Sequence, residues 1–343
     1  MKTLPWLVLG LALASAGQAW ADTVVKQCRQ ASAQASFGTL SSLTVRDEAQ
    51  RLLSGGGMSC DQSKGTLIGQ SWIRMQIDRA SDPVLTHGQT GEQVPFALYS
   101  SANATSALEA GRPYDYSTFT FLGNGPDLGS FPVYLRTAKG ANVSAGTYHA
   151  TIRLRWYWRI CLNGQAFGIC NIPGWDISPG LRGGCLLEAC TLPPDTWGEG
   201  VPTSIQVSLV VSPDCLITAP ALDFGSAPLA QNFDTQQGNI TIRCTKGALY
   251  SVGLNDGAQA DGKTRRMANG GHYLAYELYK SRSSERWGAT GSERRASTSA
   301  EINPNQYDGV SGQRFDYRAR VLPEQNTPPA GIYRDSVVID VQF

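Results

Sequence analysis

Eight cysteines are the residues of this chain whose type and spacing let them do chemistry together. They stand at Cys28, Cys60, Cys161, Cys170, Cys185, Cys190, Cys215 and Cys244, with no Cys-x-x-Cys pair among them. An even count without that motif reads as disulfides in an exported chain, not as a redox or zinc centre. His87, His149 and His272 are far apart in sequence, so no metal-ligand spacing is present, and neither metal nor other cofactor is expected. No Gly-x-Ser-x-Gly elbow or His-Glu-x-x-His pair occurs, no phosphate-binding loop is expected, and neighbours such as Asp47 and Glu48 mean nothing without geometry. The chemistry on offer is cross-linking, and catalysis is not expected.

The elements that position these cysteines begin after a leader. Lys2, the apolar stretch Leu4 to Ala16 and the Ala19-Trp20-Ala21 site read as a signal peptide over residues 1–21. Asp22 is then the expected first residue of the exported chain. No later segment is apolar enough for a membrane helix, which needs roughly 20 apolar residues. Residues 22–211 and 212–343 each hold 14 basic and 14 acidic residues. Neither half carries the basic excess that draws a polyanion, so nucleic acid is not an expected partner.

The chain repeats itself. Cys28 is followed by Phe37-Gly38 and Cys60, and Cys215 by Phe224-Gly225 and Cys244, with the same spacing from the first cysteine to Phe-Gly. Pro95–Tyr99 is matched by Leu274–Tyr279, and Ala145-Gly146-Thr147-Tyr148 by Ala330-Gly331-Ile332-Tyr333. After those tyrosines, Ile152, Leu154, Trp156 and Trp158 alternate as Val337, Ile339, Val341 and Phe343 do. Period-two alternation marks strands with one buried face. Gly, Asn, Asp, Ser and Pro clusters separate such runs throughout, and only Leu43–Leu53 suggests a helical turn. The expected architecture is all-β: two tandem immunoglobulin-like antiparallel sandwiches, over 22–211 and 212–343. Cys28–Cys60 and Cys215–Cys244 are the expected staples, each closing a loop of about 30 residues and adding ~3 kcal/mol.

The two copies differ at their ends. Thr203–Val211, with Ile205, Val207, Leu209 and Val211 on one face, can close the first sandwich from within. The second copy has no such segment after Phe343. The expectation is a sandwich left one strand short, with a groove along Val337, Ile339, Val341 and Phe343 that a strand from another chain fills. With only Asp22 to Gln27 ahead of Cys28, the chain is expected to receive a strand and not to give one, which places it at the end of a fibre.

Residues 215–343 resemble the spore coat protein U domain, the pilin domain of archaic (Csu-type) chaperone–usher pili. The resemblance is carried by Cys215 with Phe224-Gly225, Ile240–Cys244, Leu274–Tyr279, Arg286-Trp287-Gly288 and Ala330–Asp335 with the alternating strand behind it. The first half looks like a more divergent copy, the adhesin domain of the two-domain tip subunit. Gly55-Gly56-Gly57 and the cysteine-rich segment depart from the pilin pattern. The resemblance implies export to the periplasm, capture by a periplasmic pilus chaperone, handover at an outer-membrane usher, and a final place at the cell surface. It also implies that the N-terminal donor strand of the adjacent pilin fills the groove, and that apolar loops bind abiotic or host surfaces and promote biofilm formation.

Two stretches could supply such loops. Ile160–Gly198 carries four cysteines and few charges among Phe167, Ile169, Ile172, Trp175, Ile177 and Leu181; Phe121, Leu122 and Phe131 form the other. Its cysteines could pair locally (Cys161–Cys170, Cys185–Cys190) or in a nest (Cys161–Cys190, Cys170–Cys185), and its apolar residues could be exposed or fold back as a satellite core. Trp156 and Trp158 are expected inside, with Arg153, Arg155 and Arg159 on a solvated face. A carbohydrate-binding lectin, with Trp175 or Trp197 stacking on a sugar beside Asn171, Asp176 or Asp195, and a passive coat or pilus subunit are the alternatives.

Overall fold

The computed structural model describes residues 27–61, 65–124, 131–172, 174–281 and 283–343. The expected leader and Asp22 lie outside the described residues. Among those described, no helix is long and apolar enough to cross a membrane.

The chain is nearly all β. In the first sandwich the long strand Gly146–Ile160 is central. Val201–Ser212 runs antiparallel along one edge of it, pairing Gly146 with Val211 through to Trp156 with Val201. Thr66–Ile77 and Val84–His87 take the other edge. A second layer holds Arg51–Gly55, Pro132–Thr137 and Gln93–Tyr99. Alternation decides what goes inside: Ile152, Leu154, Trp156, Ile205, Val207 and Leu209 are all buried in one core. Gly56 is part of that core's geometry. Its carbonyl accepts the Trp156 indole N–H at 2.8 Å, and a Cβ on it would stand 2.6 Å from the Trp156 ring. Within the glycine run that the pilin pattern left unexplained, Gly56 leaves the space the tryptophan needs.

The second sandwich packs Cys215–Thr218, Gln236–Cys244, Gln313–Val321, His272–Lys280 and Arg265–Asn269 in that order. The facing layer is Arg295–Ala296, Ser251–Leu254 and Ile339–Gln342. Trp287, Phe315 and Ile242 centre its core. The two copies agree in detail. Tyr148 donates its hydroxyl to Ser144 O and Tyr333 to Pro329 O, both four residues upstream and both at 2.7 Å. Cys28 faces Cys60, and Cys215 faces Cys244, across antiparallel pairs. All eight cysteines are paired: Cys28–Cys60, Cys161–Cys170, Cys185–Cys190 and Cys215–Cys244. The cysteine-rich segment is therefore stapled locally and not in a nest.

Two expectations need correction. The helix is shorter than Leu43–Leu53: it covers Ser42–Asp47, capped by Ser41 Oγ on Thr44 N. Arg51 onward is drawn away because it finds a partner strand in Pro132–Arg136. Arg159 is buried, not solvated, because the cysteine-rich segment folds over the outer face of its strand. The letters Gly257 to Thr264 do match Gly-x4-Gly-Lys-Thr. A phosphate loop must open a helix, and this one opens the strand Arg265–Asn269.

A polar interface joins the sandwiches. Ser42 Oγ meets Thr245 Oγ1 at 2.6 Å, and Asn142 donates to Asp308 O at 2.7 Å. Lys246 Nζ lies 2.7 Å from Glu92 Oε1. Burial opposes ionisation of Glu92, yet Lys246 and the Ser144 N–H outweigh it and hold the carboxyl down to about 2.

Candidate functional site: an open groove and an apolar tip

The first sandwich shows what the second lacks. Val201–Ser212 is gripped on both edges, antiparallel to Gly146–Ile160 and parallel to Ala33–Ser41. In the second copy the equivalent flanks are Ile339–Gln342, which among the described residues pairs with Ser251–Leu254, and 220–228, which by the repeat matches Ala33–Ser41 and forms no strand. Among the described residues no strand lies between them. A cleft of about 640 Å³ does, walled by Ala219–Leu222 and Phe224 on one side and Tyr333–Val337 and Ile339 on the other. Its floor is core: Ile240, Leu254, Met267, Tyr276, Leu278 and Tyr317.

Val337 and Ile339 line this cleft, and Val341 packs half-buried on the same core. Phe343, expected on that inward face, lies just past the strand and is 57% exposed; the groove drawn from the sequence stops at Val341. Asp335, where the first copy has Ala150, accepts from the Tyr276 hydroxyl at 2.7 Å. Beside the cleft, Arg265 is fully buried and ties the two layers together. It donates to Leu254 O at 2.9 Å and Trp287 O at 2.8 Å and pairs with Glu277. Burial pushes its pKa down, with Glu277 opposing the change.

The apolar residues of the first sandwich gather at one end. Phe121 pairs with Ile68 at the start of the strand Thr66–Ile77. Ile68 O accepts from Gly168 N at 3.4 Å, and Gly168 O accepts from Cys190 N at 2.8 Å. These bonds tie three loops side by side. Phe119, Phe121, Leu122, Phe167, Ile169, Ile172, Ile177, Leu186 and Leu187 are exposed there; Trp175 is half-buried. Leu122, Phe167 and Leu187 each adopt a positive φ, of 54°, 52° and 56°. That conformation costs a non-glycine residue roughly 1–2 kcal/mol, and among the described residues only Ser281 and Asn303 share it outside glycine. Phe167 and Leu187 thus occupy strained turn positions, Leu122 takes the same conformation near the end of the strand Thr118–Gly123, and all three side chains are exposed. The cystines bracket two of these turns, Cys161–Cys170 and Cys185–Cys190.

Two residues assigned to the surface loops are corrected. Phe131 is 4% exposed and packs 4.9 Å from the Trp156 ring, because Phe131 O is held by Gly56 N at the head of a core strand. Leu181 is 7% exposed, turned inward by the Leu181 N to Ser178 O bond. The segment thus splits: part lies back as a satellite layer and part stands out. Phe119 is a contact that sequence reasoning misses; Leu186 and Leu187 belong to the apolar segment without being singled out, although two leucines inside a four-residue cystine loop are a visible signal. Two of the groups suggested for sugar binding, Asp176 and Trp197, are engaged internally. Asp176 accepts from Cys28 N at 2.6 Å and from the Trp158 indole at 3.0 Å, and Arg74 covers the Trp197 ring at 3.9 Å.

Comparison with known proteins follows the same lines. Among curated protein sequences there is no significant match. Among solved structures the chain is similar to the CsuC–CsuE chaperone–tip adhesion subunit pre-assembly complex from archaic chaperone–usher Csu pili of Acinetobacter baumannii. Identity is 26%, the alignment covers 92% of this chain and 100% of that one, and the TM-score is 0.66. The CupB6 tip adhesin of Pseudomonas aeruginosa is far more distant, at 12% identity, 92% and 93% coverage and a TM-score of 0.28. The Spore Coat Protein U domain matches twice, over residues 15–155 and 202–340. These matches span most of the chain and fall one on each sandwich, so the chain belongs to the Spore Coat Protein U domain family.

Proposed function

We propose that the chain is the tip subunit of an archaic chaperone–usher pilus, an adhesin that binds surfaces through the apolar end of its first sandwich. The observation that carries this reading is the cleft between 219–224 and 333–339, placed where the first sandwich holds its own strand. An apolar floor with unpaired edges is a template for an incoming strand. Each large apolar side chain it buries is worth roughly 1.5–3 kcal/mol. A periplasmic chaperone fills the cleft first, and the N-terminal arm of the adjacent pilin replaces it at the outer-membrane usher. The adhesin unit spans 22–211 and the pilin unit 212–343, and the fibre carries both to the cell surface. The similarity to a chaperone–tip adhesion subunit pre-assembly complex supports a periplasmic chaperone as a partner.

The strained loops favour contact with apolar abiotic or host surfaces, and so biofilm formation. The carbohydrate reading has less behind it, since Asp176 and Trp197 are occupied within the fold. A passive fibre subunit has no use for strained, exposed apolar turns. The test is attachment by cells carrying the triple change Phe167→Ser, Ile169→Ser and Trp175→Ser. The reading predicts normal export and loss of attachment to bare polystyrene. Normal attachment removes this loop from the site, and inhibition of wild-type binding by a free sugar supports the lectin instead.

A further inference from the structure

We propose that Arg159 is the positioning residue of the third apolar loop, fastening the neck of the ribbon that presents Leu186 and Leu187. This inference rests on the adhesive reading of that loop. Arg159 is 1% exposed; among the described residues no carboxylate forms an ion pair with it, and burial lowers its pKa with Asp195 opposing that only in part. Burying a guanidinium without a counter-charge is costly. An apolar side chain of the same length would fill the position at less cost, so the charge must serve some other purpose.

Its hydrogen bonds show what that is. One terminal nitrogen donates to Gly183 O at 2.5 Å and approaches Cys185 Sγ at 3.0 Å. The other donates to Leu192 O at 3.0 Å. Gly183 and Leu192 stand on opposite sides of a narrow ribbon. Arg182 and Thr196 exchange backbone bonds across it at 2.8 and 3.1 Å, and Leu192 N donates to Gly184 O at 3.1 Å. The planar fork therefore bridges the ribbon at its base, where a point charge on a flexible stem could not hold both carbonyls. Above the fork the Cys185–Cys190 bond closes the loop. Beyond that, Leu186 and Ala189 exchange bonds at 3.0 and 3.1 Å, and Leu187 is fully exposed at the turn. The loop has almost no core of its own. Arg159 supplies rigidity from the strand below, which lowers the ordering cost of binding.

The experiment uses the full chain bound to its pilus chaperone, as wild type, Arg159→Met, Arg159→Lys and Leu187→Ser. Amide exchange is followed by peptide, and attachment to polystyrene in parallel. The inference predicts that Arg159→Met speeds exchange across 183–192 about tenfold. Val201–Ser212 and the four cystines should be unchanged, and Arg159→Lys should recover only part of the protection. Unchanged exchange at 183–192 in both Arg159 variants overturns it. Should Arg159→Met not accumulate, the comparison of Arg159→Lys with wild type decides. Attachment separates the two claims: faster exchange in the Arg159 variants with normal attachment by Leu187→Ser keeps the anchor and removes the loop from the binding site.

Discussion

Leu209 lies directly opposite Tyr148, in the antiparallel pair that closes the first sandwich. Tyr333 repeats Tyr148 down to the bond its hydroxyl makes four residues back, but among the described residues it has no counterpart of Leu209. The difference sets the two copies apart: the first closes on its own strand, and in the second the corresponding place is an open cleft.

Phe167 and Gly168 form the two-residue turn between Gln165–Ala166 and Ile169–Cys170, both with positive φ. Such turns favour Asn before Gly. Phe167→Asn is expected to stabilise the first sandwich by about 1 kcal/mol while weakening attachment to apolar surfaces. Thermal melting and a bead-binding assay on the same preparation check it; a variant less stable than wild type contradicts the strain argument.

Gly56→Ala forces a methyl to within 2.6 Å of the Trp156 ring. Overpacking of this kind costs about 1–3 kcal/mol. Chemical denaturation of the chaperone-bound chain, followed by tryptophan fluorescence, should show the loss in the first sandwich alone.

Asp176 holds Cys28 N and the Trp158 indole at once. Asp176→Ala leaves both donors short of an acceptor, and hydrogen bonds to a charged group are worth about 1.5–3 kcal/mol each. The variant should lose stability by at least the lower figure, with amide exchange rising near Cys28. Loss of surface binding with unchanged stability would instead mark Asp176 as a ligand contact.

The Glu92–Lys246 link carries a pH dependence whose sign is fixed. A carboxyl with a folded pKa below its unfolded value stabilises above the unfolded value and loses that contribution as pH falls through the folded one. Glu92 falls from 4.5 to about 2 on folding, so the link holds at neutral pH and fades between those two values. Lys246 is 41% exposed, which keeps the effect to about 1 kcal/mol or less. Small-angle scattering across that window should show the sandwiches loosening in wild type, and Glu92→Gln should show no step there.

The tandem sandwiches were legible because their signals are local. Alternation at Ile205–Val211 and the Ala-Gly-x-Tyr motifs depend on strand geometry alone. What was not legible depends on distant segments. Arg159 has the phase of a solvent-facing residue and is buried only because residues 181–192 fold back over its strand. Arg51–Gly55 leaves the helix because its partner lies about eighty residues away. Phe131 looks like part of the Phe121 loop until Gly56 and Trp156 claim it. Leu186 and Leu187 read as one more apolar pair until the structure places them on a stapled turn at the exposed end.

The central claim is that the second sandwich is completed by a strand from another chain. Amide exchange of 217–224 and 336–343, measured on the chain alone and on its complex with a periplasmic pilus chaperone, tests it most directly. Both segments should exchange rapidly in the free chain and become protected together in the complex, with Val201–Ser212 protected in both. Equal, strong protection of the two segments in the free monomer would contradict the account.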